Sequence, residues 1–333
     1  MKHLRSGIGP AIATCMTTLL LTACGGGGGG VDPKTNPGGN NPPSDSGLLK
    51  LNDSNGGLVA LIGLLNAKGA ANGAIFTGAV NLLNAGFTVI NAQLQSLGNS
   101  GTESCEVGGD YTWTFTDSDA DTALSSGDSW LVSNNNCEDD VAFTNGSTGF
   151  DINQLVSSDT TDEHHSDISF TYNLSGSLFG ETTQSLGSYT WKSDTTDGII
   201  VTQDLFVSSY QSIINDEVIA MTKLSYVETK DESTLTESLI VGGKMRDETL
   251  GDYSIETQQT LIAINPPFLV GDKFYYEGSF TVTLKTGSVK LTALSETDVQ
   301  LNVDIDGDGS VDQTSNTTWG ALTTQYLSHL GFI

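Results

Sequence analysis

The chain has 333 residues, with 13 Lys and Arg against 40 Asp and Glu and a net charge of −27. So large an acidic excess argues against nucleic acid and anionic lipid as partners, whose phosphates would be repelled, and favours divalent cations. It also keeps an exported protein soluble, and the length suffices for one large β domain or two small ones.

Lys2 and Arg5 open a short basic stretch that runs into an apolar segment ending in Leu19-Leu20-Leu21-Thr22-Ala23, followed by Cys24. This reads as a signal peptide over residues 1–23 with a small-residue cleavage site. Leu21-Thr22-Ala23-Cys24 resembles the lipobox of bacterial lipoproteins, which implies acylation of Cys24 and a membrane anchor. In that family an aspartate after the cysteine retains the product at the inner membrane; Gly25 stands there instead, which implies the outer membrane, on its periplasmic face or the cell surface. Residues 24–47 hold six consecutive glycines and Pro33, Pro37, Pro42 and Pro43 among Asn, Gly and Ser. Such a composition cannot bury apolar surface and reads as a flexible linker.

Residues 48–98 read as a helical segment. Leu58, Leu61, Ile62 and Leu65 share one face of a first helix, and Phe76, Val80, Leu83, Phe87, Ile90, Leu94 and Leu97 alternate spacings of four and three in a second. Asn81, Asn84, Asn91, Gln93 and Gln95 argue against a membrane span there. The stripe is expected to dock on the domain's own sheet, because the interior Gly78 and Gly86 weaken the helix standing alone. A partner helix is the competing reading.

From residue 99 to 333 the pattern becomes period two. Tyr111, Trp113 and Phe115 alternate with threonines, as do Phe170, Tyr172 and Leu174 with Thr171 and Asn173, and Tyr189 with Trp191. Similar runs recur near 199–208, 217–228, 234–242, 252–264, 274–285, 288–294 and 298–304. The expected fold is mainly β: an antiparallel meander forming an open or closed soluble barrel, or a sandwich, with the helical segment packed on it. Ser, Thr, Lys and Glu on the second face of most strands argue against a transmembrane barrel. Cys15 leaves with the signal peptide and Cys24 is lipidated, so Cys105 and Cys137 remain as a pair expected to be oxidised outside the cytoplasm.

Two aspartate loops carry the clearest chemistry. Asp304, Asp306, Asp308 and Asp312 occupy positions 1, 3, 5 and 9 of a loop with Gly309 at position 6, an arrangement that resembles the calcium loops of EF-hands, dockerins and thrombospondin type 3 repeats. A hard cation takes six to eight oxygens at 2.3–2.6 Å, which alternate residues of a tight loop can supply, roughly one residue in two. Ser310 at position 7 is expected to give its carbonyl, and Ser315 stands where an EF-hand has its bidentate Glu. A weaker copy is Asp117, Asp119, Asp121, Ser125 and Asp128, with Thr122 in place of the glycine. Structural Ca2+ is the expected cofactor at both, against the plainer alternative of solvated acidic turns.

Three other groupings are read as inert. Gly127-Asp128-Ser129 looks like the nucleophile block of GDS(L) esterases, but a polar loop precedes it and Tyr326-Leu-Ser-His329 lacks their late Asp-x-x-His. His164 and His165 are read as part of a solvated loop, since adjacent histidines on a strand point to opposite faces. Neither cysteine has a histidine nearby in sequence to serve as a base.

The lipobox, the Cys105–Cys137 segment ending its acidic loop in Leu124-Ser-Ser-Gly-Asp128, and Val303-Asp-Ile-Asp-Gly-Asp-Gly309 followed by Thr318-Trp319-Gly-Ala-Leu322 resemble uncharacterised outer-membrane lipoproteins of Gram-negative, gammaproteobacterial type. That family usually has glycine where Ala120 and Thr122 stand here, and it brings no activity. The expected role is a non-enzymatic, lipid-anchored binding or structural domain whose protein or apolar-ligand partner is not specified. A periplasmic carrier or chaperone for a lipid or other apolar ligand is the first alternative, and a serine hydrolase the second.

Overall fold

The computed structural model describes residues 48–332 apart from 96–98, 122, 141, 159–162, 179–180, 198, 216 and 265–273. The signal peptide, Cys24 and the linker to residue 47 therefore lie outside the described residues. Fourteen strands form one antiparallel sheet in which every strand pairs with its neighbours in sequence. They are β1 (Ser100–Ser104), β2 (Gly108–Thr116), β3 (Ser129–Glu138), β4 (Ala142–Ser158), β5 (Glu163–Leu178), β6 (Glu181–Thr196) and β7 (Ile200–Ile214). Then follow β8 (Glu217–Asp231), β9 (Thr236–Asp247), β10 (Gly251–Ile264), β11 (Glu277–Leu284), β12 (Gly287–Ala293), β13 (Asp298–Asp304) and β14 (Gln313–Thr318). The expected meander is thus present, as an open sheet whose edges are β1 and β14 rather than a closed barrel or a sandwich.

Bulges curl the sheet. Register shifts interrupt β2–β3, β3–β4, β4–β5, β6–β7, β8–β9, β9–β10 and β10–β11. Each extra residue bends its strand and adds to the right-handed twist. One of them shows what sequence must supply. Between Thr222 and Ser225 the chain passes through Lys223 at φ 52°, opposite Gly243 at φ 149°. A Cβ at Gly243 would stand 2.5 Å from the Leu224 Cα, so only glycine lets β8 and β9 approach there.

A single helix, α1 (Gly56–Gln95), lies along the concave face. The sequence suggested two shorter pieces; the structure joins them into 40 residues, about 60 Å at 1.5 Å per residue. Its first 24 residues are apolar enough by length and composition to cross a bilayer, yet they pack on the sheet. The register of α1 across the sheet is set by close approach. A Cβ at Gly56 would lie 2.7 Å from Val303, one at Gly63 2.7 Å from Val282, and one at Gly78 2.8 Å from Phe170. The helix therefore crosses from β13 over β11 to β5.

The first turns of α1 bury Val59, Leu61, Ile62 and Leu64, two of which, Leu61 and Ile62, belong to the apolar face expected there; the next turns bury small residues, Ala67, Ala71, Ala74 and Gly78. Phe76, the first member of the apolar stripe expected to dock, is instead 42% exposed. The side chains of Val80 and of residues 83–95, and Leu97, lie outside the described residues. Under the helix the sheet presents an aromatic row, Phe150 to Phe170 (5.9 Å), Phe170 to Tyr189 (5.0 Å) and Tyr172 to Tyr210 (5.9 Å between centroids). The chain ends in a second helix, α2 (Trp319–His329), which the strand pattern did not announce. Thr318 caps it by accepting a hydrogen bond from the Ala321 N–H, and its Trp319 is fully buried, donating its indole N–H to the Tyr275 carbonyl at 2.9 Å.

Candidate functional site

The two aspartate loops are the hairpin connections β2–β3 and β13–β14. In a meander these fall at opposite ends of the strands, so the loops are separate sites. They wind alike. Asp117 Oδ1 accepts from the Ala120 N–H and Asp304 Oδ1 from the Gly307 N–H. Asp119 accepts from Asp121 and Asp306 from Asp308, both at 3.2 Å; Asp121 accepts from Ala123 and Asp308 from Ser310, both at 2.7 Å. Each such bond is an aspartate side chain mimicking a backbone turn. The fourth position is left-handed in both, at φ 60° for Ala120 and 76° for Gly307. An alanine in that conformation costs energy that glycine does not, which is the physical content of the departure at Ala120.

In each loop three carboxylates converge. One oxygen each of Asp117, Asp119 and Asp128 lie within 4.8 Å of one another, and the same holds for Asp304, Asp306 and Asp312. Asp128 is buried and holds its loop shut, Oδ1 accepting from the Ser118 N–H and Oγ and Oδ2 from the Ser125 N–H. Asp304, also buried, accepts from Gly307 and Gly309, and Asp312 from the Ile305 N–H. Of the other aspartates proposed from sequence, Asp121 and Asp308 stand outside the converging trios, and Ser125 enters as a donor to Asp119 Oδ2 at 3.1 Å. Both trios fit a divalent metal ion: the donors are hard oxygens, and three like charges this close are relieved by a cation.

Cys105 and Cys137 form a disulfide with Cα atoms 5.4 Å apart, tying the turn before β2 to β3. His164 and His165 stand in β5 rather than in a loop, and His165 Nδ1 meets Asp194 of β6. The residues of the esterase-like block are far apart in the sheet order: Ser129 pairs with Thr116 and Asp151 in β3, whereas His329 ends the helix that follows β14.

A buried ionic clasp was not foreseen. Lys68 is the only charged residue in α1. Its Nζ lies 2.5 Å from Glu237 of β9 and 3.3 Å from Glu228 of β8, and Lys230 reaches the other Glu228 oxygen at 3.0 Å. Tyr226 donates to Glu228 and Tyr275 to Glu237. Burial alone would raise the Glu228 pKa, but Lys68 and Lys230 outweigh it and hold the carboxyl below its ordinary value. Burial and the nearby carboxylates push both tyrosine hydroxyls well up, so they remain donors. Next to the clasp, Asn66 donates to Asp247 at 2.8 Å; further along, Asn81 donates to Tyr172 and Tyr189 donates to the Ala74 carbonyl. The helix is thus held by named polar contacts as well as by packing.

No protein-family model, curated protein or solved structure matches the chain.

Proposed function

We propose that this chain is a lipid-anchored cell-envelope protein, acylated on Cys24 at the outer membrane, whose β domain is a non-catalytic binding or structural module braced by calcium. The observation that carries the address is the run from the basic start through Leu21-Thr22-Ala23-Cys24 into a Gly and Pro tether. The Cys105–Cys137 bridge supports it, because such bonds persist in oxidising compartments. Calcium is supported by two loops that wind alike and gather three carboxylates each, with Asp304, Asp306 and Asp312 as the ligands at one and Asp117, Asp119 and Asp128 at the other. Bound there, the ion would supply charge neutralisation and cross-link a hairpin; no chemistry is asked of it. The close packing of α1 on the concave face favours a filled module over a carrier of apolar ligands.

Two measurements test this. Metabolic labelling with palmitate marks the wild-type product and leaves Cys24→Ser unmarked; an unlabelled wild type removes the anchor. Calcium at about a hundred times its dissociation constant adds roughly 2.7 kcal/mol, or on the order of 5 °C in melting temperature for a domain of this size. Asp119→Asn with Asp306→Asn, both exposed positions, abolishes that rise. A melting curve indifferent to chelator and calcium in the native protein ends the metal reading.

A further inference from the structure

Apolar side chains scattered singly over a surface need no explanation, but a continuous line of them does. On β7 to β10 the buried Leu205, Tyr226, Leu239 and Leu261 face inward, so the residues that follow them, Phe206, Val227, Ile240 and Ile262, stand on the convex face. Pairing register sets these in a line. Val227 lies opposite Ile240; Phe206 pairs with Ser225, two residues before Val227, and Ile262 pairs with Ser238, two residues before Ile240. Ile264 follows Ile262 on the same face of β10. Diagonal neighbours of this kind stand about 7–8 Å apart, within reach of one another. Phe206, Ile240 and Ile264 are 47%, 46% and 49% exposed, and Val227 and Ile262 are half-buried. The result is an apolar ridge that slants across four strands for roughly 24 Å, taking about 4.8 Å between strands and about 3.3 Å per residue.

Hydroxyls and acids flank the ridge. Thr190 and Ser225 border Phe206, and the row Thr202, Thr229, Ser238 runs up to Ile262. Asp204 stands opposite Val227 on one flank and Glu277 opposite Ile262 on the other. Burial, with Asp194 and Asp167 adding to it and Lys192 opposing, holds the Asp204 carboxyl above its ordinary value, so a further cation beside it is favourable. Lys192 is already engaged with Asp167 at 3.0 Å. A second copy of this chain matches the ridge poorly, because both would carry the same charge of −27.

We propose that the convex ridge of Phe206, Val227, Ile240, Ile262 and Ile264 docks an amphipathic helix of a partner protein, its apolar face on the ridge and its Lys and Arg against Asp204 and Glu277. At 1.5 Å per residue such a helix needs about 16 residues to cover the ridge. The surface uses no residue of the anchor or of the acidic loops, so it stands whether or not those readings do.

The probe is a fluorescein-labelled helix of that length built from Leu and Lys, with Leu on one face, titrated into the full chain and read by fluorescence anisotropy. Binding is saturable and weakens with salt. Ile240→Thr and Phe206→Thr, which keep strand preference while removing apolar area, each raise the dissociation constant about tenfold. Asp204→Asn with Glu277→Gln raises it several-fold and flattens the salt dependence. Leu131→Thr, at a position 49% exposed on the convex side of β3, leaves it unchanged. The same helix with Glu in place of Lys does not bind. Binding that ignores the ridge variants, or that Leu131→Thr weakens equally, overturns the proposal. So does a chain that dimerises, or sediments with phosphatidylcholine vesicles, in a manner lost in Ile240→Thr, since the ridge would then belong to a second copy or to a bilayer.

Discussion

Lys68→Met is expected to lower the stability of the folded chain by about 3–5 kcal/mol at neutral pH, read as a fall in the urea midpoint with unchanged slope. Methionine fills much of the same space, so the loss reports charge rather than a cavity. Glu237 would then be left buried with only the Tyr275 hydroxyl, and Glu228 would keep Lys230 and the Tyr226 hydroxyl. The pH dependence gives the sign. The Glu228 pKa is depressed in the fold, so its stabilisation is complete above the unfolded value near 4.5 and is lost as pH falls through the lower folded value. Wild-type stability should therefore decline below about pH 4.5, and the gap between wild type and Lys68→Met should narrow there, because the variant has already lost the part of the Glu228 stabilisation that Lys68 supplies. Adding Glu237→Gln should recover part of the loss by removing the unpaired charge. A gap that is constant from pH 7 to 4 would mean that Lys68 matters only as packing.

Removing the Cys105–Cys137 bridge is expected to cost roughly 3–4 kcal/mol on the chain-entropy account. The bond closes a loop with a sequence separation of 32, and that loop contains β2, β3's pairing turn and the first acidic loop. Its loss should be felt first at the β1 edge, where β1 pairs only with β2. The comparison is between the oxidised chain and a Cys105→Ala, Cys137→Ala double variant, by urea unfolding and by limited proteolysis within residues 99–141. Equal midpoints and equal cleavage would show that the bridge constrains nothing that the ladder does not already hold.

Much of the sheet could be read in advance because its signal is local. Trp113 and Phe115, then Phe170, Tyr172 and Leu174, sit at every second residue and all five are buried. Closure was not legible: it depends on twist summed over many bulges, and no one strand encodes it. The helix shows a different failure. Counting large apolar residues found Leu61 and Ile62, which are buried, but in the second stretch it picked out the line that begins at Phe76, whereas from Ala67 onward the helix buries Ala67, Ala71, Ala74 and Gly78, because close approach selects small side chains. The clasp left two traces that were available, a lone Lys68 in an uncharged helix and Glu228 in inward phase with Tyr226. The acidic loops were found because their carboxylates are neighbours in sequence. Which three converge was not, since it depends on Asp128 and Asp312 folding back from the far side of each loop to bond the Ser118 and Ile305 N–H groups.

The uninterrupted order of the strands has a consequence for assembly. Each hairpin of the sheet can zip onto the previous one as soon as its residues exist, with short loops to close and little chain to search. The helix that precedes them has no such neighbour: Gly56 settles against Val289 and Val303, made more than two hundred residues later. Synthesis thus leaves the most apolar stretch of the domain waiting longest for its cover, and any delay in completing the last strands exposes it to aggregation.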